Sequence, residues 1–360
     1  MSTKKSEGGA HKGILYLGID LGTSRCAVVG SNGIRDAVAS YVGYPKDVVS
    51  RKALGVDVLF GDKAIEKRMS VELYRPLAKG VLKTSLDDGD DAKNGGGQGV
   101  EGNARAAKDL IEEIVRRAKP RPDELVYAVI GVPAEASIKS KEALLDAARS
   151  TVEAVMLCSE PFAVAYGMDM LEDALVVDIG AGTIDLCRMH GAMPDEADQL
   201  TLNCGGDFVD EKLAERIRKR HPQAQFSMQM IKGLKEKHAS VLDPPSPAIV
   251  QLPVDGKPTR FDLAEDIRGA CLEIVPPIVD GLAKLISSYD PEFQDKLKQR
   301  VLLAGGGSQI IGLDAAIEAA MVERLGQGNV VRTEESLYGG AIGALKISSD
   351  MPDEFWEQMS

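Results

Sequence analysis

The sequence predicts an α/β fold made of two similar halves with a cleft between them. The strongest sign is a phrase that occurs twice, as Leu17-Gly-Ile-Asp20-Leu-Gly22-Thr23-Ser24 and again as Leu175-Val-Val-Asp178-Ile-Gly180-Ala181-Gly182-Thr183. Each copy reads as a strand, a tight glycine turn and a return strand. Segments of strand and helix character also alternate along the whole chain, the pattern of sheets covered by helices. Finally, 360 residues of which 44% are hydrophobic supply apolar material for two cores, as a domain-scale repeat requires.

In chain order, residues 1–13 are polar and Gly-rich, with no apolar run; they read as a disordered arm and not as a signal peptide. Residues 14–29 form the first hairpin, turning at Gly22. Gly61-Asp62-Lys63-Ala64 starts a short helix, and Tyr74-Arg75-Pro76-Leu77 and Gly80-Val81-Leu82 are extended. Residues 87–102 are mostly acidic or glycine and read as a flexible insertion. A calcium loop there lacks its closing glutamate. From Asn103 a helix sets Ala107, Leu110, Ile111, Ile114 and Val115 on one face, ended by Pro120 and Pro122. Residues 126–132 make a buried strand, Ser137 caps the next helix, and another helix runs from Pro161 toward Met170.

After the second Asp-Gly turn, Gly205-Gly206 bends the chain, and Asp207 is expected to cap a helix with Val209, Leu213 and Ile217 inward. Residues 232–241 are helical, 244–261 form short strands and turns, and 263–288 form one long helix disturbed at Pro276-Pro277. A strand at 301–304 runs into Gly305-Gly306-Gly307, a helix follows from about Leu313, and Gly339-Gly340 opens the last helix. The tail, 350–360, is acidic, with Trp356 expected on the surface. The resulting division is an arm at 1–13, a first domain at 14–160 with an outer subdomain at about 31–104, a second domain at 161–345 with an outer subdomain at about 205–265, and a tail at 346–360 that can pack back on the first domain.

Several functions are disfavoured by composition. A formal net charge of −12 suits neither a nucleic-acid surface nor an anionic membrane. No apolar run is long enough to span a bilayer. The five cysteines are scattered, with no Cys-x-x-Cys, and read as reduced thiols of a cytoplasmic protein; the four histidines lack zinc spacing.

The chemistry resides in the two turns. Bare backbone N–H groups at a glycine turn can hold phosphate oxygens. Gly22, Thr23 and Ser24 offer one cradle, and Gly180, Ala181, Gly182 and Thr183 another. Asp20 and Asp178 stand at the entrances, placed to hold a hydrated Mg²⁺ through water. Either turn alone equally suits an ordinary hairpin; two at matched register favour a polyphosphate between them. Other nucleotide devices are missing: Asp255-Gly256-Lys257-Pro258 is no phosphate loop of the Gly-x4-Gly-Lys type, and Gly-x-Gly-x-x-Gly is absent at the turns.

Five motifs in order resemble those of the superfamily of actin, the bacterial actin-like proteins, the 70-kDa chaperone ATPases and the sugar kinases. They lie at 18–24, 128–161, 176–185, Leu303-Ala-Gly305-Gly306-Gly307-Ser308, and Tyr338-Gly339-Gly340-Ala-Ile-Gly343-Ala. Within it, Val42-Gly-Tyr-Pro-Lys-Asp-Val48, Arg75-Pro-Leu77, Ile130-Gly-Val-Pro-Ala134 and Ser159-Glu-Pro-Phe162 are similar to the bacterial actin-like filament proteins, especially the branch that organises magnetosomes. Residues 87–102 depart from that pattern.

The resemblance implies an actin-like fold and an ATPase that polymerises with ATP and Mg²⁺. It implies a partner in further copies of the chain and in magnetosome adaptor proteins, a cytoplasmic location, and no direct membrane insertion. Glu160 and Asp178 become catalytic candidates, Glu160 orienting water; an N-capping role before Pro161 is the other reading of Glu160. Lys232, Lys235 and Glu236 would flank the adenosine, or simply form a solvated helix face. Gly305, Gly306, Gly307 and Ser308 would let backbone approach the base, and Gly205 and Gly206 join the binding residues. Arg25 is given no role. A small-molecule kinase or a chaperone-like ATPase of the same fold stays open as an alternative.

Overall fold

The computed structural model describes residues 13–78, 81–82 and 100–359. The expected arm, apart from residue 13, and the expected insertion up to residue 99 lie outside them.

The first half contains β1 (Gly13–Leu21), β2 (Arg25–Gly30), β3 (Arg35–Ala39), β4 (Val42–Pro45), α1 (Val48–Leu54), β5 (Leu59–Phe60), α2 (Asp62–Glu66), β6 (Val71–Tyr74), β7 (Leu77–Ala78) and β8 (Val81–Leu82). It continues through α3 (Val100–Arg117), β9 (Glu124–Val132), α4 (Ile138–Ala148), β10 (Ala154–Ser159) and α5 (Glu160–Gly167). The second half follows with β11 (Ala174–Ile179), β12 (Ile184–Met189), β13 (Gln199–Leu202), α6 (Gly206–Arg220), α7 (Met228–His238), β14 (Ile249–Val254) and β15 (Lys257–Asp262). Then come α8 (Ala264–Leu272), α9 (Val275–Ser287), α10 (Pro291–Lys298), β16 (Val301–Ala304), α11 (Leu313–Leu325), β17 (Val330–Arg332), α12 (Gly339–Asp350) and α13 (Asp353–Met359).

The duplication extends to topology. One sheet runs β10-β9-β1-β2-β3 and the other β17-β16-β11-β12-β13. In each, the repeated phrase forms an antiparallel hairpin, β1 with β2 and β11 with β12, and two later strands join parallel to its first strand. Both turns therefore emerge at the same end of their sheets. Smaller outer sheets, β5-β4-β6 and β14-β15, extend from the two halves.

Each half has its own core. Leu15, Leu17, Ile19 and Leu21 alternate along β1 and pack with the inward stripe of α3, including Leu110, Ile111 and Ile114. The second core gathers β11, β12, α6, α9 and α11. A third cluster joins the halves through α5 and α12, with Val129, Phe162, Val176, Leu302 and Ile347. α12 approaches backbone to backbone: a Cβ at Gly18 would land on the Ala341 carbonyl oxygen, and one at Gly343 on the carbonyl oxygen of Ala163 in α5. Glycine is required there by space, not by backbone conformation.

Three expectations change. Trp356 is fully buried: its ring stacks on Tyr127 with centroids 5.2 Å apart, and its Nε1 donates to the Ser348 carbonyl at 3.3 Å. Its acidic neighbours face solvent, but the indole closes the end of the third cluster. The long helix is two, α8 and α9, divided at 273–274; Pro276 and Pro277 sit in the first turn of α9, where no intrahelical N–H is needed. Asp207 does not cap α6. The cap is Gly205, and Asp207 lies in the first turn with its side chain bound elsewhere. In addition, α7 starts at Met228, capped by Ser227, earlier than expected. Among the described residues no helix is long and apolar enough to cross a membrane.

Gly343→Ala should lower folding stability by about 3 kcal/mol, the upper range for overpacking. Urea unfolding of the variant against wild type measures this; an unchanged midpoint would show that α5 and α12 separate freely.

Candidate functional site

The cleft between the halves contains a cavity of ≈ 400 Å³, and the two hairpin turns line it from opposite sides. The first turn is tight because Gly22 packs against the Arg25 carbonyl, leaving no room for a Cβ. Ser40 Oγ donates to the Gly22 carbonyl at 2.6 Å and fixes it from behind. In the second turn Gly180 N donates to Thr183 O at 2.9 Å. Gly206 N and Asp207 N, at the start of α6, donate to the Gly180 and Ala181 carbonyls at 2.9 and 2.7 Å. A Cβ at Gly205 would sit 2.8 Å from both of those oxygens, so this docking needs glycine.

The triple-glycine turn after β16 completes the wall. Gly305 has φ +76°, and a Cβ there would strike the Asp178 carboxylate; one at Gly307 would strike Ile179. Every predicted site residue lines the cavity except Gly205 and Ser308. Those two stand behind the wall, and Ser308 turns its hydroxyl to the Gly305 carbonyl at 2.7 Å. Arg25 is exposed at the cleft edge.

Helix α7 presents the expected lysines. Lys232 Nζ crosses the cleft and donates to Ser24 Oγ in the first turn. Lys235 Nζ donates to the Gly206 carbonyl at 2.6 Å and pairs with Asp210 at 2.9 Å, bracing α6 on α7. Glu236 is largely exposed, 3.9 Å from the Lys232 ammonium. Loss of hydration, and then the Arg75 charge, lower the proton affinity of Lys232.

Three carboxylates gather at the floor. Asp20 lies near the end of β1, Asp178 near the end of β11, and Glu160 opens α5, brought to one place by the two equivalent hairpins and the third core cluster. Glu160 and Asp178 are buried, and Glu160 Oε1 has no hydrogen-bond partner. The N-cap of α5 is Ser159, so capping does not account for that oxygen. Burial raises Asp20 to about 6. Burial, followed by the charges of Asp20 and Asp185, raises Asp178 to about 8. Glu160 is held well above the ordinary carboxylate range by burial, then by Asp20, Asp185 and Asp178.

This donor set suits a hydrated cation. Among the described residues no group of three or more His, Cys, Asp or Glu is arranged to hold a metal directly. The clustered carboxyls, an orphaned Oε1 and glycine cradles above them fit Mg²⁺ reached through water, which phosphate oxygens would help to hold.

Two groups escaped the sequence reading. Asp185, buried at the start of β12, accepts from Thr183 Oγ1 at 2.7 Å, Thr201 Oγ1 at 2.5 Å and Ala134 N at 3.0 Å, tying the second turn to the first half. Arg75 reaches both halves, its Nε donating to Thr23 O at 3.0 Å and its Nη2 meeting Asp207 Oδ2 at 2.9 Å. The only sequence signal for Arg75 was its place in the phrase Arg75-Pro-Leu77.

The MreB/Mbl protein family matches residues 97–352. "Actin-like protein MamK" of Paramagnetospirillum magneticum is 38% identical over 355 residues, covering 98% of each chain. A structure described as a MamK double helical filament superposes with a TM-score of 0.86 at 37% identity, covering 94% of this chain and 99% of that one. A non-polymerising MamK mutant bound to AMPPNP superposes with a TM-score of 0.69 at 37% identity, covering 94% and 100%.

The raised carboxyls give a signed pH dependence. They keep protons in the folded chain where the unfolded chain has lost them, so their stabilisation is complete at low pH and disappears as pH rises. The window opens near the ordinary carboxylate range of about 4 and reaches about 8 at Asp178. Calorimetric melting of the nucleotide-free chain should show a Tm component falling across this window, and Glu160→Gln should flatten it. An identical slope in the variant would contradict the burial of an ionisable Glu160.

Proposed function

The chain belongs to the MreB/Mbl family of actin-like proteins, and from that premise we propose a cytoskeletal ATPase that assembles with ATP and Mg²⁺ into filaments and disassembles after hydrolysis. The observation that carries this reading is the pair of matched glycine turns facing each other above Asp20, Asp178 and Glu160. The triphosphate lies between the turns and accepts from their backbone N–H groups. The adenosine lies toward Gly305–Gly307, with the methylene stem of Lys235 and the Glu236 carboxylate beside it.

Hydrolysis requires positioning and charge neutralisation more than covalent catalysis. Asp20 and Asp178 are the residues that would hold a hydrated Mg²⁺ through water, and such an ion would supply neutralisation of phosphate charge. Glu160 Oε1 orients a water toward the γ-phosphorus and takes its proton as the new P–O bond forms; the bond to the bridging oxygen breaks, and ADP leaves with that electron pair. Burial and the neighbouring carboxyls raise the proton affinity of Glu160, which favours its taking a proton from that water.

Filament formation is supported by the relatives. The similar chain of known structure is a double helical filament, and a relative bound to AMPPNP is a non-polymerising mutant. Head-to-tail stacking of identical subunits generates such an assembly. This favours the cytoskeletal reading over a small-molecule kinase or chaperone-like ATPase. The likeness to MamK extends the proposal to a cytoplasmic filament that organises magnetosomes through adaptor proteins.

The purified chain with Mg²⁺ and ATP should pellet on high-speed centrifugation and show filaments by electron microscopy; a chain that stays monomeric across salt and nucleotide conditions would contradict assembly. Glu160→Ala should slow ATP hydrolysis by about a hundredfold while filaments still form and last longer. Wild-type turnover in that variant would remove Glu160 from the reaction.

A further inference from the structure

Arg75 belongs to neither turn. It follows β6, in the outer sheet of the first half, yet its guanidinium spans the cleft. Its Nε donates to the Thr23 carbonyl of the first turn at 3.0 Å. Its Nη2 meets both oxygens of Asp207, at 3.1 and 2.9 Å, across 132 positions of sequence. The backbone N–H of Asp207 in turn holds the Ala181 carbonyl of the second turn at 2.7 Å. The guanidinium also lies over the Tyr41 ring, 5.7 Å from its centroid, which limits its swing.

We infer that Arg75 is a positioning residue that couples the two phosphate turns, one guanidinium gripping the first turn directly and the second through Asp207. Its consequence for nucleotide retention rests on the ATP reading above; the coupling itself does not. The chain of bonds Thr23–Arg75–Asp207–Ala181 makes the turns move as a unit, so a disturbance at either end reaches the other. The planar fork of arginine suits this bridge, because Nε and Nη2 donate in fixed directions, one to the carbonyl and the other to the carboxylate. The Lys232 bond to Ser24 crosses the cleft in parallel through α7, whose Lys235 holds the Gly206 carbonyl, so the Arg75 bridge is the one that joins the first turn to the Asp207 side chain. Arg75 also ties the outer sheet to both turns, so movement of that sheet is transmitted to the nucleotide cradle.

The test compares the full chain with Arg75→Ala, Arg75→Lys and Asp207→Asn, in two measurements. In hydrogen exchange without nucleotide, both Arg75 variants should exchange faster at 180–183 as well as at 22–24, and Asp207→Asn should loosen 22–24. Arg75→Lys keeps the charge and guards against a variant that fails to fold. A change confined to the turn beside the substituted residue, or no change, overturns the coupling. In the second measurement a fluorescent ATP analogue with Mg²⁺ is chased from the protein. Arg75→Ala and Asp207→Asn should each release it about tenfold faster, and the double variant should be no faster than the quicker single. Multiplying effects would mean two independent contacts and overturn the bridge. A wild-type chain that retains no analogue would count against the ATP reading, and the exchange pattern then decides the coupling by itself.

Discussion

Everything at the centre of this molecule answers to one electrostatic constraint: three carboxylates meet where the two halves join, with too little water to hydrate them. Asp20 and Asp178 come from the ends of equivalent strands, and Glu160 from the helix that links the halves. Burial favours the protonated form of all three, and repulsion from neighbouring carboxylates adds to it at Glu160 and Asp178. Such a cluster is costly in an empty cleft and becomes favourable once a cation neutralises it. The surrounding glycines are the geometric counterpart, keeping side chains out of the space above the carboxylates and leaving backbone donors at its rim.

The duplicated topology delivers that arrangement. Two sheets of the same strand order place equivalent turns at one cleft, and α5 and α12 join them through close backbone contact at Gly18 and Gly343. The tight seam holds the back of the cleft. Toward its mouth, contact passes to polar side chains: Lys232 to Ser24, and Arg75 to Thr23 and Asp207. Polar contacts of this kind exchange readily with water and ligand. The seam is therefore close-packed at the back of the cleft and polar at its lip, an arrangement that suits the nucleotide binding proposed above.

Much of this was legible in the sequence because the decisive signals are local. An aspartate, an apolar residue and a glycine at the end of a strand specify a turn wherever they occur, and the second copy specifies the pairing of halves. Trp356 was misplaced because its acidic neighbours dominate the composition, while the buried partner, Tyr127, is remote in sequence. The break between α8 and α9 carries no glycine or proline, and the two prolines nearby start a helix instead of breaking one. Arg75 and Asp207 look like ordinary surface charges until folding brings them together. Asp185 had only its position after the second turn to mark it, and two of its donors, Ala134 and Thr201, come from other parts of the chain.

If the carboxylates at the floor are protonated in the empty cleft and give up those protons to a nucleotide-bound cation, binding must release protons. Titration calorimetry of Mg·ATP into the chain near neutral pH, in two buffers of different ionisation enthalpy, counts them directly. Net proton release that shrinks in Glu160→Gln is the expected result. Binding with no proton exchange would mean that the cluster is already ionised in the empty cleft, and the electrostatic basis of the site would be wrong.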